Sequence, residues 1–237
     1  MFDPIKEIEN YKFYDRTKHR YTLSASAIGN DILQLWHEQV GTEENQYRLG
    51  DMDAGSIMHL GLEQIFKSNK DLVIEERYQK QIGKWTISGK MDIIDEKEKV
   101  IYDIKTGKNY SRKKLLEEKE KNQYAIQLAV YNWLLCGGYK TKILWILKDS
   151  DITKNQPVFI VDDVPIMDEF AIEEYINSKI NLLDVYLDSN KIPNECQDKW
   201  TRTINKITVN SKCMYYCKYS NNCKYFKPSI NQALSKW

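Results

Sequence analysis

The 237-residue chain carries 35 Lys and Arg against 34 Asp and Glu, a formal net charge of +1. With 42% hydrophobic and 29% charged residues it has the make-up of a folded domain with one sizeable core, which excludes a disordered chain. Near-neutral charge excludes a broadly cationic nucleic-acid binder, and the longest apolar run, Ile143–Leu147, is far short of the about 20 residues of a membrane span. The first residues contain no apolar stretch of the kind a secretory signal needs. A cytoplasmic location, no membrane partner and reduced or metal-bound thiols are therefore expected.

In chain order, Ser24-Ala25-Ser26 precedes a helical stripe of Ile28, Ile32, Leu35 and Trp36. A second helix is expected over about 53–67, with Met58, Leu62, Ile65 and Phe66 inward. Three strands follow, Leu72–Ile82, Trp85–Asp95 and Lys99–Lys105, the last alternating Ile101, Asp103 and Lys105 against Val100, Tyr102 and Ile104. One long helix is expected from Leu115 to Cys136, ended by Gly137-Gly138. Strands at Lys142–Lys148 and Pro157–Asp162 come next. The last helix runs from Pro165 to about Leu187 behind an Asp163 cap, with Ile166, Phe170, Ile176, Ile180 and Leu183 inward. This order predicts an α/β fold, a mixed central sheet flanked by helices, over residues 1–190, with a cysteine-bearing tail at 191–237 packed on the same domain.

The segment from Gly89 to Lys105 carries the clearest chemistry. With the charged stretch Glu96–Lys99 as the turn, opposed residues have numbers summing to 195, which sets Asp92 against Asp103 and puts Lys105 on the same face. Facing carboxylates repel unless a divalent cation lies between them, and oxygen donors suit Mg2+ or Mn2+. Taken alone, a D-x-K triplet is also compatible with ordinary strand charges. His59 sits beside the apolar face of the second helix, and Gln123, Gln127 and Tyr131 form a polar stripe on the long one. Cys213, Cys217 and Cys223 lie close together, with Cys196 upstream, a set suited to zinc or an iron–sulfur cluster. Cys136 reads as a small buried residue at a helix end.

Together these stretches resemble the PD-(D/E)XK nuclease superfamily, in particular its RecB-like exonuclease branch. Gly55-Ser56-Ile57-Met58-His59 is similar to the helical histidine motif and Gly89-Lys90-Met91-Asp92 to the first acidic motif. Asp103-Ile104-Lys105-Thr106-Gly107 is similar to the D-x-K motif, Gln127-Leu128-Ala129-Val130-Tyr131 to Q-x-x-x-Y, and Leu23-Ser24-Ala25-Ser26 to the opening serine motif. The resemblance implies a restriction-endonuclease-like fold in which His59, Asp92, Asp103 and the Ile104 carbonyl hold Mg2+ or Mn2+, with Mn2+ at least as effective because of the imidazole. It makes Lys105 the catalytic lysine and has Gln127 and Tyr131 line the site. The implied reaction is phosphodiester hydrolysis by water that the metal activates.

RecB-like relatives, among them CRISPR-adaptation exonucleases and the AddB nuclease domain, carry a 4Fe–4S cluster pinned by one upstream and three C-terminal cysteines. Here the stretch Leu33–Gln39, where the upstream ligand is expected, holds no cysteine. Cys196 with Cys213, Cys217 and Cys223 then becomes the expected set, for a 4Fe–4S cluster or Zn2+, in a structural role. Lys108, Arg112, Lys113 and Lys114 are candidates for backbone phosphates and Tyr110 for base stacking, with Ser24 and Ser26 at the opening motif. The expected activity is a metal-dependent exonuclease on single-stranded or end-exposed DNA, in recombination, repair or phage replication, with a helicase or recombination partner. An endonuclease or RNA nuclease on the same fold, and a non-catalytic DNA-binding or assembly subunit, are the rival readings.

Overall fold

A computed structural model describes residues 19–44, 49–197, 201–204 and 207–226. Of the expected nuclease domain, residues 1–18 and 45–48 lie outside the described residues, as do 198–200, 205–206 and 227–237 of the expected tail. The chain opens with a three-residue strand, β1 (Thr22–Ser24), that no periodicity announced; a segment this short carries none. The first helical stripe is two helices, α1 (Ala25–Ile28) and α2 (Ile32–Gln39), parted at Gly29–Asp31. Helix α3 (Leu49–Phe66) leads into the hairpin of β2 (Leu72–Ile82) and β3 (Trp85–Asp95), turned at Gly83, whose φ of +56° suits glycine.

Strand β4 (Val100–Gly107) follows the charged turn, where the Asp95 carboxylate accepts from the Glu98 amide at 2.9 Å. The expected long helix is broken into α4 (Asn109–Glu118), a 3-10 turn at Lys119–Lys121, and α5 (Gln123–Leu134). The cause is legible in hindsight. Residues 117–123 are all polar and offer the core nothing, and Asn122 caps the new helix by accepting from the Tyr124 amide.

Strands β5 (Lys140–Leu147) and β6 (Phe159–Asp163) precede α6 (Glu169–Asp188), which Asp168 caps, not Asp163, by accepting from the Ala171 amide at 2.8 Å. A hairpin of β7 (Thr201–Ile204) and β8 (Ile207–Asn210) and the short α7 (Ser211–Tyr215) complete the described elements.

The sheet runs β1-β3-β4-β5-β6, with β2 on the other edge of β3. Pairings β1–β3 and β4–β5 are parallel and the remainder antiparallel, so this is a mixed α/β sheet. Its main core joins Ile87, Ile101, Ile143 and Trp145 to Leu128 and Trp133 of α5, with Ile176 and Leu183 of α6 behind. A smaller cluster, Ile93, Ile104 and Ile146, lies under Leu62 and Phe66 of α3. Three expected core residues are exposed: Met58 and Ile65 on α3, and Phe170 on α6. The inward positions of α3 are instead Leu62, Glu63 and Phe66. Cys136, read as buried, is exposed in a left-handed turn after α5.

Candidate active site

The expected register holds and then stops where the chemistry starts. Asp95–Val100, Ile94–Ile101 and Ile93–Tyr102 pair, all on the sum of 195, but the next step, Asp92 and Asp103, does not. The first half of β3 pairs with β1 at residues 86–88 and the end with β4 at 93–95. Residues 89–92 therefore lie at a fork, with β2 on one edge and neither β1 nor β4 on the other.

Opposite Asp92 the β2 ladder is interrupted as well. Glu75 takes a φ of +60° and drops out of pairing between Ile74–Ile93 and Glu76–Met91. Met91 and Ile94 both join the main core, three residues apart where alternation would allow two or four. The strand thus turns over at Asp92. A left-handed glutamate in mid-strand is costly, and such outliers gather at functional sites.

The two carboxylates are held by different groups. Asp92 Oδ2 accepts from the Ile104 amide at 2.6 Å. Asp103 is 1% exposed; its Oδ1 accepts from Gln127 Nε2 at 3.1 Å, and Oδ2 stands 2.7 Å from Lys105 Nζ as an ion pair, without an aligned hydrogen bond. The same Gln127 amide donates to the Tyr131 hydroxyl at 2.7 Å, and that hydroxyl donates to the Lys90 carbonyl at 2.8 Å, within the fork. Helix α5 can come this close because residue 89 is glycine. A Cβ there would lie 2.8 Å from Leu134 Cδ1 and from Tyr131 Cε1.

His59 reaches the same place from α3. Its Nδ1 is 3.8 Å from Asp92 Oδ1. Gly55, one turn earlier, lets α3 approach β4, since a Cβ there would lie 3.1 Å from Thr106 Oγ1. Burial, then the Lys105 charge, lowers the His59 pKa and keeps the imidazole neutral, the form that can ligate a metal.

Burial pushes the Asp103 carboxyl up to about 6, with Lys105 opposing and Asp92 adding to the rise. Asp92 is raised for the same first reason. Lys105 would be lowered by burial, but the Asp103 and Asp92 carboxylates outweigh it and hold the ammonium form.

These donors fit a divalent cation. A buried and a partly buried carboxylate lie close together, a neutral imidazole stands beside them, and a single ammonium answers the pair. Among the described residues no three His, Cys, Asp or Glu side chains are drawn to ligand distance. The Ile104 amide and the Lys105 ammonium hold the carboxylate oxygens instead.

The remaining expected residues are scattered. Gln123 donates to Asn30 Oδ1 and supports α1, not the acidic pair. Ser24 Oγ lies 3.1 Å from Ser26 Oγ, with Ser24 paired to Ser88 on the strand that carries Asp92. Lys108, Tyr110 and Lys113 are exposed just beyond β4. Arg112 Nε and Nη2 donate to Asp162 at 2.6 and 2.7 Å and tie α4 to β6. Lys114 pairs with Glu118 at 3.5 Å. Sequence reading passed over Glu63, which lies one helical turn past His59 and is buried, and Lys90, ion-paired with Glu75 at the rim. The i+4 spacing from His59 was the available signal for the first.

The cysteine-bearing segment packs on α2. Tyr219 stacks on His37 at 5.3 Å, the Gln197 amide donates to Asp31 Oδ2, Asn222 donates to the Glu43 carbonyl, and Lys218 pairs with Glu44 at 3.1 Å. Burial drives the Cys196 thiol up to about 12 and Cys213 up to about 11, with neighbouring cysteines adding to both.

A family model described as the PD-(D/E)XK nuclease superfamily matches residues 68–224, well over half of the chain. The chain belongs to this superfamily. Asp92, Asp103, Lys105, Gln127 and Tyr131 lie within the matched span, while His59 and the serine motif precede it. Among solved structures it is similar to SSO0001, at 19% identity and a TM-score of 0.60 over 94% of this chain and 95% of the other. The complex of LHK-Exo with dAMP aligns at 12% identity and a TM-score of 0.52 over 71% of this chain and 90% of the other. LHK-Exo is an alkaline exonuclease from Laribacter hongkongensis. At these identities the likeness speaks for the fold, which is that of the superfamily. No curated protein matches the chain. Among the described residues no helix is long and apolar enough to cross a membrane.

Proposed function

We propose that this superfamily member is a divalent-metal-dependent deoxyribonuclease of the RecB-like branch, an exonuclease on single-stranded or end-exposed DNA that serves recombination, repair or phage replication. The observation that carries the reading is the ion pair of the buried Asp103 with Lys105, beside Asp92 at the fork of the sheet and braced by Gln127 and Tyr131. A divalent cation held by Asp92, Asp103, His59 and the Ile104 carbonyl would neutralise phosphate charge and lower the pKa of water.

The chain's own groups supply the rest. Lys105 stays protonated against two carboxylates, so it meets the charge that develops on the phosphate and does not act as a base. Gln127 fixes the Asp103 carboxylate, and Tyr131 fixes Gln127. Lys108 and Lys113 follow β4 and would take backbone phosphates, with Tyr110 stacking a base.

Cys196, Cys213, Cys217 and Cys223 are the residues that would hold Zn2+ or a 4Fe–4S cluster, as thiolates once deprotonated by the bound metal. Its role is to fasten the C-terminal segment to α2. Metal analysis and the visible spectrum of purified protein separate the two metals.

The decisive test incubates the protein with linear single-stranded, linear double-stranded and circular single-stranded DNA, with Mn2+, Mg2+ or EDTA. Metal-dependent loss of linear DNA with circles spared is expected. Cleaved circles would replace the exonuclease with an endonuclease, and intact DNA throughout would sink the enzymatic reading.

A further inference from the structure

Glu63 is 7% exposed, which is rare for a glutamate unless its charge is compensated. Its ion pair with Lys67 spans 3.9 Å, and the Lys67 side chain is 49% exposed, so the pair offers a buried charge little relief. The helix face that carries Glu63 is not a solvent face. Leu62 and Phe66 on either side of it pack against Ile93 and Ile104, the strand neighbours of Asp92 and Asp103. His59, one turn before it, stands 3.8 Å from Asp92, and the Glu63 charge raises the pKa of both.

The charges of the pocket do not balance as they stand. Asp92, Asp103 and Glu63 are three carboxylates, and the partly buried Lys105 is the ammonium paired with Asp103. Lys90 at the rim is taken by Glu75 and drops out. Lys67, half-exposed and 3.9 Å from Glu63, offsets it only weakly, so carboxylate charge exceeds the cations that face it, an excess a divalent cation would offset.

We propose that Glu63 is a positioning residue of the cation site, one that supplies the third negative charge and so sets the affinity for one divalent ion. This rests on the metal-dependent reading above and adds to it a residue outside the ligand set. Supporting groups around a metal site commonly change its affinity tenfold or more.

The test titrates metal-free protein with Mn2+ by calorimetry, in the wild type, Glu63→Gln, Glu63→Asp and Asp103→Ala, alongside thermal melting in EDTA. Glu63→Gln should weaken Mn2+ binding by about tenfold or more. Its melting temperature in EDTA should be unchanged or raised, because a poorly compensated buried charge has gone. Glu63→Asp, which keeps the charge, should recover most of the affinity. Wild-type affinity in Glu63→Gln overturns the inference, provided Asp103→Ala has lost binding. A lowered melting temperature in EDTA with no recovery by Glu63→Asp overturns it too, by making Glu63 a packing residue. If Asp103→Ala binds Mn2+ like the wild type, the cation site lies elsewhere and the metal reading falls with the inference.

Discussion

The acidic pocket and the thiol-bearing segment are both gatherings of like groups, but the chain holds them by different means. Asp92 and Asp103 sit on neighbouring strands, one step beyond a ladder that runs to Ile93–Tyr102, and α3 and α5 close over them from opposite faces. Their positions follow from backbone hydrogen bonds and a packed core. The cysteines lie on loops and a single-turn helix, fastened to α2 mostly by side chains. On α2 itself Gln34 Oε1, Trp36 Nε1 and His37 Nε2 are buried with no hydrogen-bond partner among the described residues. A site on a ladder is organised before its ligand arrives. A site on loops draws much of its order from the ligand.

That contrast breaks most visibly by removing its chemistry. Asp103→Ala should abolish cleavage, and Lys105→Ala should lower turnover by about a hundredfold to a thousandfold, with DNA binding kept in both. Gel-shift and cleavage assays on the same preparations check this. The thiol segment should answer in the opposite sense. If the cysteines hold a metal as proposed, Cys217→Ser should cost roughly 3 kcal/mol and lower the melting temperature by about 10 °C, with Mn2+ affinity at the acidic site kept. Equal melting curves would show that the segment needs no ligand.

A smaller effect sharpens the link between α5 and the fork. Gly89→Ala drives a methyl into Tyr131 and Leu134, so a destabilisation of about 1–3 kcal/mol is expected, together with slower cleavage as Tyr131 leaves the Lys90 carbonyl. Urea unfolding and turnover should move together in this variant.

The smallest effect is on pH. A carboxyl raised in the folded state, as Asp103 is to about 6 from an ordinary 3.8, binds more protons folded than unfolded. Its contribution to stability is complete below the unfolded value and is lost as pH rises through about 6. Melting in EDTA should therefore decline across that window, and Mn2+ should abolish the decline by favouring the carboxylate.

Much of this was legible in one sequence. The hairpin of β2 and β3 and its continuation into β4 could be drawn from alternation and from the charged turn at 96–99, and the register followed from symmetry about that turn. The spacing of Gln127 and Tyr131 placed them on one helical face, where both serve Asp103. What failed did so for stated reasons. The long helix was expected to cross residues 117–123 because pattern reading bridges a polar gap that packing does not. Cys136 looked buried because a left-handed turn leaves no periodicity.

The sequence by itself determined which residues alternate, which carry charge at helical spacing and where turns interrupt them, because those are local properties of side-chain size, polarity and backbone freedom. The fork of the sheet, the left-handed Glu75 opposite Asp92, and the burial of Glu63 were decided by tertiary structure alone. Each depends on a partner far along the chain, and only the folded sheet with its helices brings those partners within reach.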